Sequence, residues 1–177
     1  MQLTLTTILL AVLLLASCAK KETGIMVPVA KDSILEPNTK LMISFDGHTS
    51  INTDKKRVYA IKNDQNVSVI GTNNTIEKFQ LEIGGSEVGE YQVTSESTGP
   101  NARSGHVQEN KILYTTYYNS EEFSKGAKIA PRGSIRIIKS TPNYIEGKYN
   151  LMVIKNSDGK KSLPRPLDGS FIAYYKK

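Results

Sequence analysis

By residue type, this 177-residue chain offers few groups for chemistry: one thiol, two imidazoles and one adjacent pair of carboxylates. The thiol is Cys18. A lone cysteine can form no internal disulfide and no cysteine-rich zinc site, but as a thiolate it is the best nucleophile a side chain offers. His48 follows an Asp46-Gly47 turn, and His106 is expected in a long polar loop over Ser95–Asn110. Two loop histidines are too few for a triad or a convincing metal centre, so no metal and no cofactor is expected. Glu121 and Glu122 are neighbours in sequence and would face opposite ways on a strand. They suit a surface charge pair better than a glycosidase pair, whose carboxyls stand roughly 5–10 Å apart across a substrate. No Gly-x-Ser-x-Gly elbow, phosphate loop or calcium loop occurs. Catalysis is therefore the less favoured class, and no catalytic residue is assigned.

Tyrosine and lysine supply the binding chemistry. The chain has nine tyrosines, four phenylalanines and no tryptophan. Tyr114, Tyr117 and Tyr118 fall on one expected strand, with 114 and 118 on one face and 117 on the other. Such rings either face a ligand, stacking on sugars or peptides, or pack as half-buried sheet aromatics. From Lys125 onward twelve Lys and Arg stand against three acids, a net +9, so with an overall +6 the preceding residues sum to −3. A basic carboxy-terminal third would attract anionic lipid head groups or acidic glycans; otherwise it serves as solubility charge. No aromatic-interleaved basic motif points to nucleic acid.

The position of the thiol decides its use. Ile8–Ala16 is an unbroken apolar run of nine residues, too short for a bilayer-spanning helix, which needs about 20, but suited to a signal-peptide core. Leu15-Ala16-Ser17-Cys18 follows it and resembles the lipobox of bacterial lipoproteins. The resemblance implies removal of residues 1–17 and acylation of Cys18 by diacylglycerol and a further fatty acid such as palmitate. Two or three acyl chains anchor stably where one does not. Met1–Thr7 has no Lys or Arg, a departure from the usual signal that fits a start further upstream. Ala19 replaces the aspartate that retains many lipoproteins at the inner membrane, so the outer membrane is the expected location, on its periplasmic or cell-surface face. Lys20-Lys21-Glu22 is either a surface-export patch or a solvated spacer.

Residues 18–40 show no sustained period and contain Pro28 and Pro37, as expected of an extended tether. Within it, Asp32-Ser33-Ile34 resembles an O-glycosylation motif of exported proteins in one group of Gram-negative bacteria, which makes Ser33 a candidate acceptor; the alternative is an aspartate turn. Asn66-Val67-Ser68 and Asn73-Asn74-Thr75 read as turn chemistry.

Over 41–177 the apolar pattern has period 2. Leu41, Ile43 and Phe45 alternate, Phe79, Leu81 and Ile83 alternate, and Val58–Ile61 and Val67–Ile70 flank a turn at Asn63–Asn66. Ile112–Tyr118, Ile135–Ile138, Tyr144–Ile154 and Ser170–Tyr175 add strands, with Asn156–Gly159 as a hairpin turn between the last two. No helical stripe appears beyond one turn at Glu121–Lys125. The expected fold is all-β: an antiparallel β-sandwich or flattened meander barrel of about eight to ten strands, following the signal peptide and tether.

The second half repeats a glycine–aromatic spacing: Ile145-Glu146-Gly147-Lys148-Tyr149, then Gly169-Ser170-Phe171, with Val88-Gly89-Glu90-Tyr91 earlier. This resembles a large group of small Gram-negative outer-membrane lipoproteins with a β-rich domain of unknown function, which share a lipobox, Gly-x-Tyr, Ile-x-Gly-x-Phe and a closing Gly-x-Phe strand. Here Tyr149 stands where that pattern has Phe. The resemblance implies location and fold and transfers no catalytic residue. The expected role is a membrane-anchored, non-enzymatic binding or accessory component of the cell envelope. Its expected partners are the membrane through the lipid anchor, and an envelope protein, a glycan or anionic lipid head groups. The alternative is a small carbohydrate-active or other hydrolase using loop carboxylates.

Overall fold

The computed structural model describes residues 35–94, 103–116, 132–156 and 163–177. Cys18, Ser33, Tyr117, Tyr118 and the Glu121-Glu122 pair lie outside them. The compact unit Glu36–Lys177 is built from eleven strands: β1 Lys40–Phe45, β2 His48–Asn52, β3 Val58–Lys62, β4 Val67–Gly71, β5 Ile76–Ile83, β6 Gly89–Gln92, β7 Ser104–Glu109, β8 Ile112–Thr115, β9 Arg132–Ser140, β10 Tyr144–Lys155 and β11 Arg165–Tyr174. No α-helix occurs among the described residues.

The strands form two layers that share one long strand. The first layer runs β2-β1-β11-β10-β9-β6, and the second runs β3-β4-β5-β7-β8. All ladder pairs are antiparallel. β10 belongs to both layers, because its first part pairs with β9 and its end with β8, at Ile154↔Thr115 and Lys155↔Tyr114. The opposite seam is drawn together by an isolated parallel bridge, Ala60↔Tyr175, where the Lys176 amide donates to the Ala60 carbonyl at 2.8 Å. The result is an all-β, flattened and nearly closed barrel, as the period-2 pattern implies.

The alternating residues meet in one core. Leu41, Ile43 and Phe45 of β1 face Phe79, Leu81 and Ile83 of β5 across the interior, joined by Ile135, Ile137, Ile145, Leu151, Val153, Leu167 and Phe171. Edge-on packing of Phe45 and Tyr114, at 4.9 Å between centroids, and tilted packing of Phe79 and Tyr149, at 5.2 Å, tie the two layers together.

Three expectations need correction. The polar stretch Ser95–Asn110 is not all loop: Ser104–Glu109 is β7, held between β5 and β8. Its only large apolar side chain is Val107, and Gly105 lies against Leu151 and Leu81, so it carries little periodic signal. The meander is interrupted at β6, which leaves β5 and pairs with β9 in the other layer. The strand count is eleven, one above the expected range, because β2, a short edge strand with no fully buried residue, shows no apolar alternation. Asx chemistry holds as expected at Asn73, whose Oδ1 accepts from the amides of Thr75 and Ile76 at 2.8 and 2.5 Å.

Candidate functional site

The tyrosines are absorbed by the fold. Tyr114 is 6% exposed, with its ring against Phe45 and the Arg165 guanidinium 5.4 Å above it. It is a core residue and not a ligand-facing one, which corrects the expectation for that position; its two companions lie outside the described residues. The same pairing recurs: Lys55 over Tyr174, Lys62 over Tyr175, Lys139 over Tyr144, Lys176 over Tyr59 and Arg103 over Tyr91, at 4.5 to 5.9 Å. Six of the seven described tyrosines therefore lie under a cation. The seventh, Tyr149, is buried and donates its hydroxyl to the Met42 carbonyl at 2.8 Å. Burial, and then the nearby Asp168 carboxylate, push its phenol well above the ordinary range.

His106 is also displaced from expectation, lying on β7 and largely buried. Its Nε2 stands 3.1 Å from Gln80 Oε1, Gln80 Nε2 donates to Glu82, and Ser68 Oγ donates to the other Glu82 oxygen at 2.7 Å. Desolvation, with Lys78 nearby, lowers the imidazole from 6.5 to about 4. In this row of bonds across β4, β5 and β7 His106 donates from Nε2 to Gln80 and is not aimed at Ser68, whose hydroxyl is taken by Glu82. His48 opens β2 and is exposed. Among the described residues no group of three or more His, Cys, Asp or Glu could hold a metal.

Among the described residues, two depressions bear on binding. One, of about 340 Å³, lies between the β2–β3 and β4–β5 connections. Its polar groups bond to one another: Asn52 to the Thr72 carbonyl, Asn73 Nδ2 to Ser50 Oγ at 2.7 Å, and Arg57 to Asp54 at 3.8 Å. It is a clasp between loops.

The other, of about 440 Å³, is open and lies on the outer face of the first layer. Sheet register builds it. One row across the strands reads Glu90, Arg136, Lys148, Ser170, Met42, and the next reads Gln92, Ser134, Asn150, Asp168, Ser44. Successive residues on a strand alternate faces, so these rows point outward while the intervening Tyr91, Ile135, Tyr149, Gly169 and Ile43 point in. Arg136 and Lys148 are direct cross-strand neighbours, and like charges so placed destabilise a sheet. Neither forms an ion pair among the described residues. Glu90, opposite Arg136 in register, instead accepts from Gln92 Nε2 at 3.3 Å. The depression thus presents two cations, neither held in an ion pair among the described residues, beside hydroxyl, amide and carboxylate groups.

The family described as Domain of unknown function (DUF6252) matches residues 49–172. The chain belongs to this family. The DUF6252 segment runs from β2 into β11 and includes every polar residue of the outer depression; β1, with Met42, precedes it. No curated protein and no solved structure matches the chain. Sequence reasoning counted Arg136 and Lys148 within the basic excess but did not single them out, because their juxtaposition depends on the β9–β10 register.

Proposed function

We propose that the chain is a lipoprotein anchored through acylated Cys18 in the outer membrane, and that its β-domain is a non-enzymatic binding or accessory module whose lysine-rich end faces the bilayer. The observation that carries this reading is where the chain enters the domain. The Pro37 carbonyl accepts from the Tyr174 hydroxyl at 2.7 Å, and Glu36 Oε1 accepts from Asn143 Nδ2 at 2.8 Å. Around this junction stand the lysines already paired with tyrosines. Lys55 lies over Tyr174, Lys139 over Tyr144 (whose ring meets that of Tyr174 at 5.5 Å), and Lys62 over Tyr175. Lys40, Lys176 and Lys177 are exposed close by in the chain.

An ammonium group over a ring keeps most of its hydration and its reach toward solvent. Near an anionic surface each lysine contributes on the order of 1 kcal/mol, reduced by salt. A tether beginning at Cys18 pulls on this same end, so anchor and charge act in one direction.

Metabolic labelling with a palmitate analogue tests the anchor: label and outer-membrane fractionation are expected in the wild-type chain and lost in Cys18→Ala. Equal labelling of the mutant overturns it. Vesicle binding by the Cys18→Ala chain tests the orientation: salt-sensitive binding to phosphatidylglycerol vesicles, absent with phosphatidylcholine, is expected. Indifference to lipid charge overturns that part.

A further inference from the structure

The geometry points to the outer depression of the β6-β9-β10-β11-β1 layer as a binding site for an acidic saccharide, with Arg136 and Lys148 holding its acid group and Asp168, Asn150, Ser134 and Ser170 its hydroxyls. This inference does not depend on the membrane anchor.

The argument begins with cost. A sheet that sets Arg136 directly beside Lys148, with neither held in an ion pair among the described residues, gives up stability at that point. Glu90, opposite Arg136 on its other side, offsets part of that charge while accepting from Gln92 Nε2 on one oxygen; Lys148, set between Arg136 and Ser170, has no acid opposite it. Departures from local rules of this kind concentrate at functional sites. An anionic group set between the two cations would remove the repulsion and gain charge-assisted hydrogen bonds, bidentate on the guanidinium side.

The remaining groups define the rest of the ligand. Asp168, one step along the sheet from Lys148, accepts hydrogen bonds and repels a second negative charge. A ligand bearing one acid group on each sugar unit, with several hydroxyl donors between, satisfies it, whereas a polyphosphate does not. Ser134 and Asn150 are opposed across β9 and β10, and Asn150 and Asp168 across β10 and β11. Amide, hydroxyl and carboxylate are thereby spaced by strand separation, about 4.8 Å, close to the spacing of hydroxyl groups across a pyranose ring. The floor is the sheet itself at Tyr149 and Gly169, whose side-chain positions face inward, so a ring can approach the sheet closely. The depression is shallow and has no aromatic platform, which suits a repeating ligand gripped weakly at each unit.

The test uses the full chain in detergent micelles, titrated by calorimetry at low salt with three probes: trigalacturonate, its methyl ester, which is the same saccharide without charge, and inorganic phosphate. Trigalacturonate is expected to bind, with affinity falling as salt rises, and to bind at least tenfold more tightly than either other probe. Arg136→Gln, Lys148→Gln and Asp168→Asn, tested singly, are each expected to weaken it several-fold; Lys78→Gln, on the other layer, leaves it unchanged. Thermal unfolding accompanies each variant, and relief of the like-charge contact predicts that Arg136→Gln and Lys148→Gln unfold no earlier than wild type. No binding of trigalacturonate, equal binding of the methyl ester, phosphate binding as tight as that of the sugar, or three folded variants with wild-type affinity would each overturn the assignment.

Discussion

The Tyr149 hydroxyl lies where the side chain of Gly169 would begin. The two residues are directly opposed in the β10–β11 register, and a Cβ on Gly169 would meet the Tyr149 oxygen at 2.5 Å and overlap the Met42 carbonyl oxygen. One step along the ladder the relationship is mirrored, with Gly147 of β10 opposite Phe171 of β11 and a Cβ there meeting the Phe171 ring at 2.5 Å. Each strand thus contributes one glycine and one aromatic, two residues apart, and each aromatic lies over the other strand's glycine. This is the physical content of the Gly-x-aromatic spacing, and it resembles the use of aromatics to cover glycines in designed sheets.

Gly169→Ala is expected to cost about 3 kcal/mol, the upper part of the overpacking range, because backbone and not a movable side chain stands in the way. Tyr149→Phe removes only the hydrogen bond to Met42, about 1 kcal/mol. Since the Met42 carbonyl remains, Tyr149→Phe should not rescue Gly169→Ala. Denaturant midpoints of the two single variants and the double variant decide this.

His106 gives the domain a pH dependence of known sign. Its value is about 4 folded against 6.5 unfolded, so between these the unfolded state binds the extra proton. Stability is fully present above pH 6.5 and is lost as pH falls toward 4, by on the order of 3 kcal/mol in all. His106→Gln should flatten the curve over this window. An unchanged slope in the variant would assign the acid sensitivity elsewhere.

The β7–β8 turn holds Asn110 at φ 51° and Lys111 at φ 62°, a left-handed pair of the kind that favours Asn-Gly. Lysine is strained there by about 1 kcal/mol. Lys111→Gly should raise the thermal midpoint by a few degrees, whereas Lys111→Val should lower it.

Replacing Lys55, Lys62, Lys139 and Lys176 together by glutamine should reduce binding to anionic vesicles at least tenfold and abolish its salt dependence. The thermal midpoint should stay within a few degrees, since these side chains lie on top of the tyrosines and fill no core volume. Retained vesicle affinity would show that the lysine-rich end does not orient the domain.

Strands whose one face is buried were legible in the sequence: β1, β5 and the first part of β10 alternate because their partners across the core demand it. β2 and β7 were obscure, because an edge or a polar outer face removes the alternation and leaves only pairing to define the strand. The outer depression was hidden for a further reason. Arg136 meets Lys148 only because the β9–β10 ladder shifts by one residue at Glu146/Gly147, placing Ile138 outside the pairing. No periodicity announces a one-residue shift, yet it decides which charges become neighbours. The tyrosines show the converse: ring enrichment is visible in a sequence, while the cation lying over six of the seven described rings is set by the fold.

The pairing of β1 with β11 joins nearly the first residues of the domain to nearly the last. A chain made from its amino terminus produces Leu41, Ile43 and Phe45 early, and they wait for Leu167 and Phe171, which are made last. Such long-range closure folds slowly and late. The sheet therefore has a built-in delay: until its final strand is available, the polypeptide stays threadable. Truncation after residue 162 should leave β1 without its central neighbour and abolish cooperative unfolding. The architecture thus postpones the native state until β11 is available to β1.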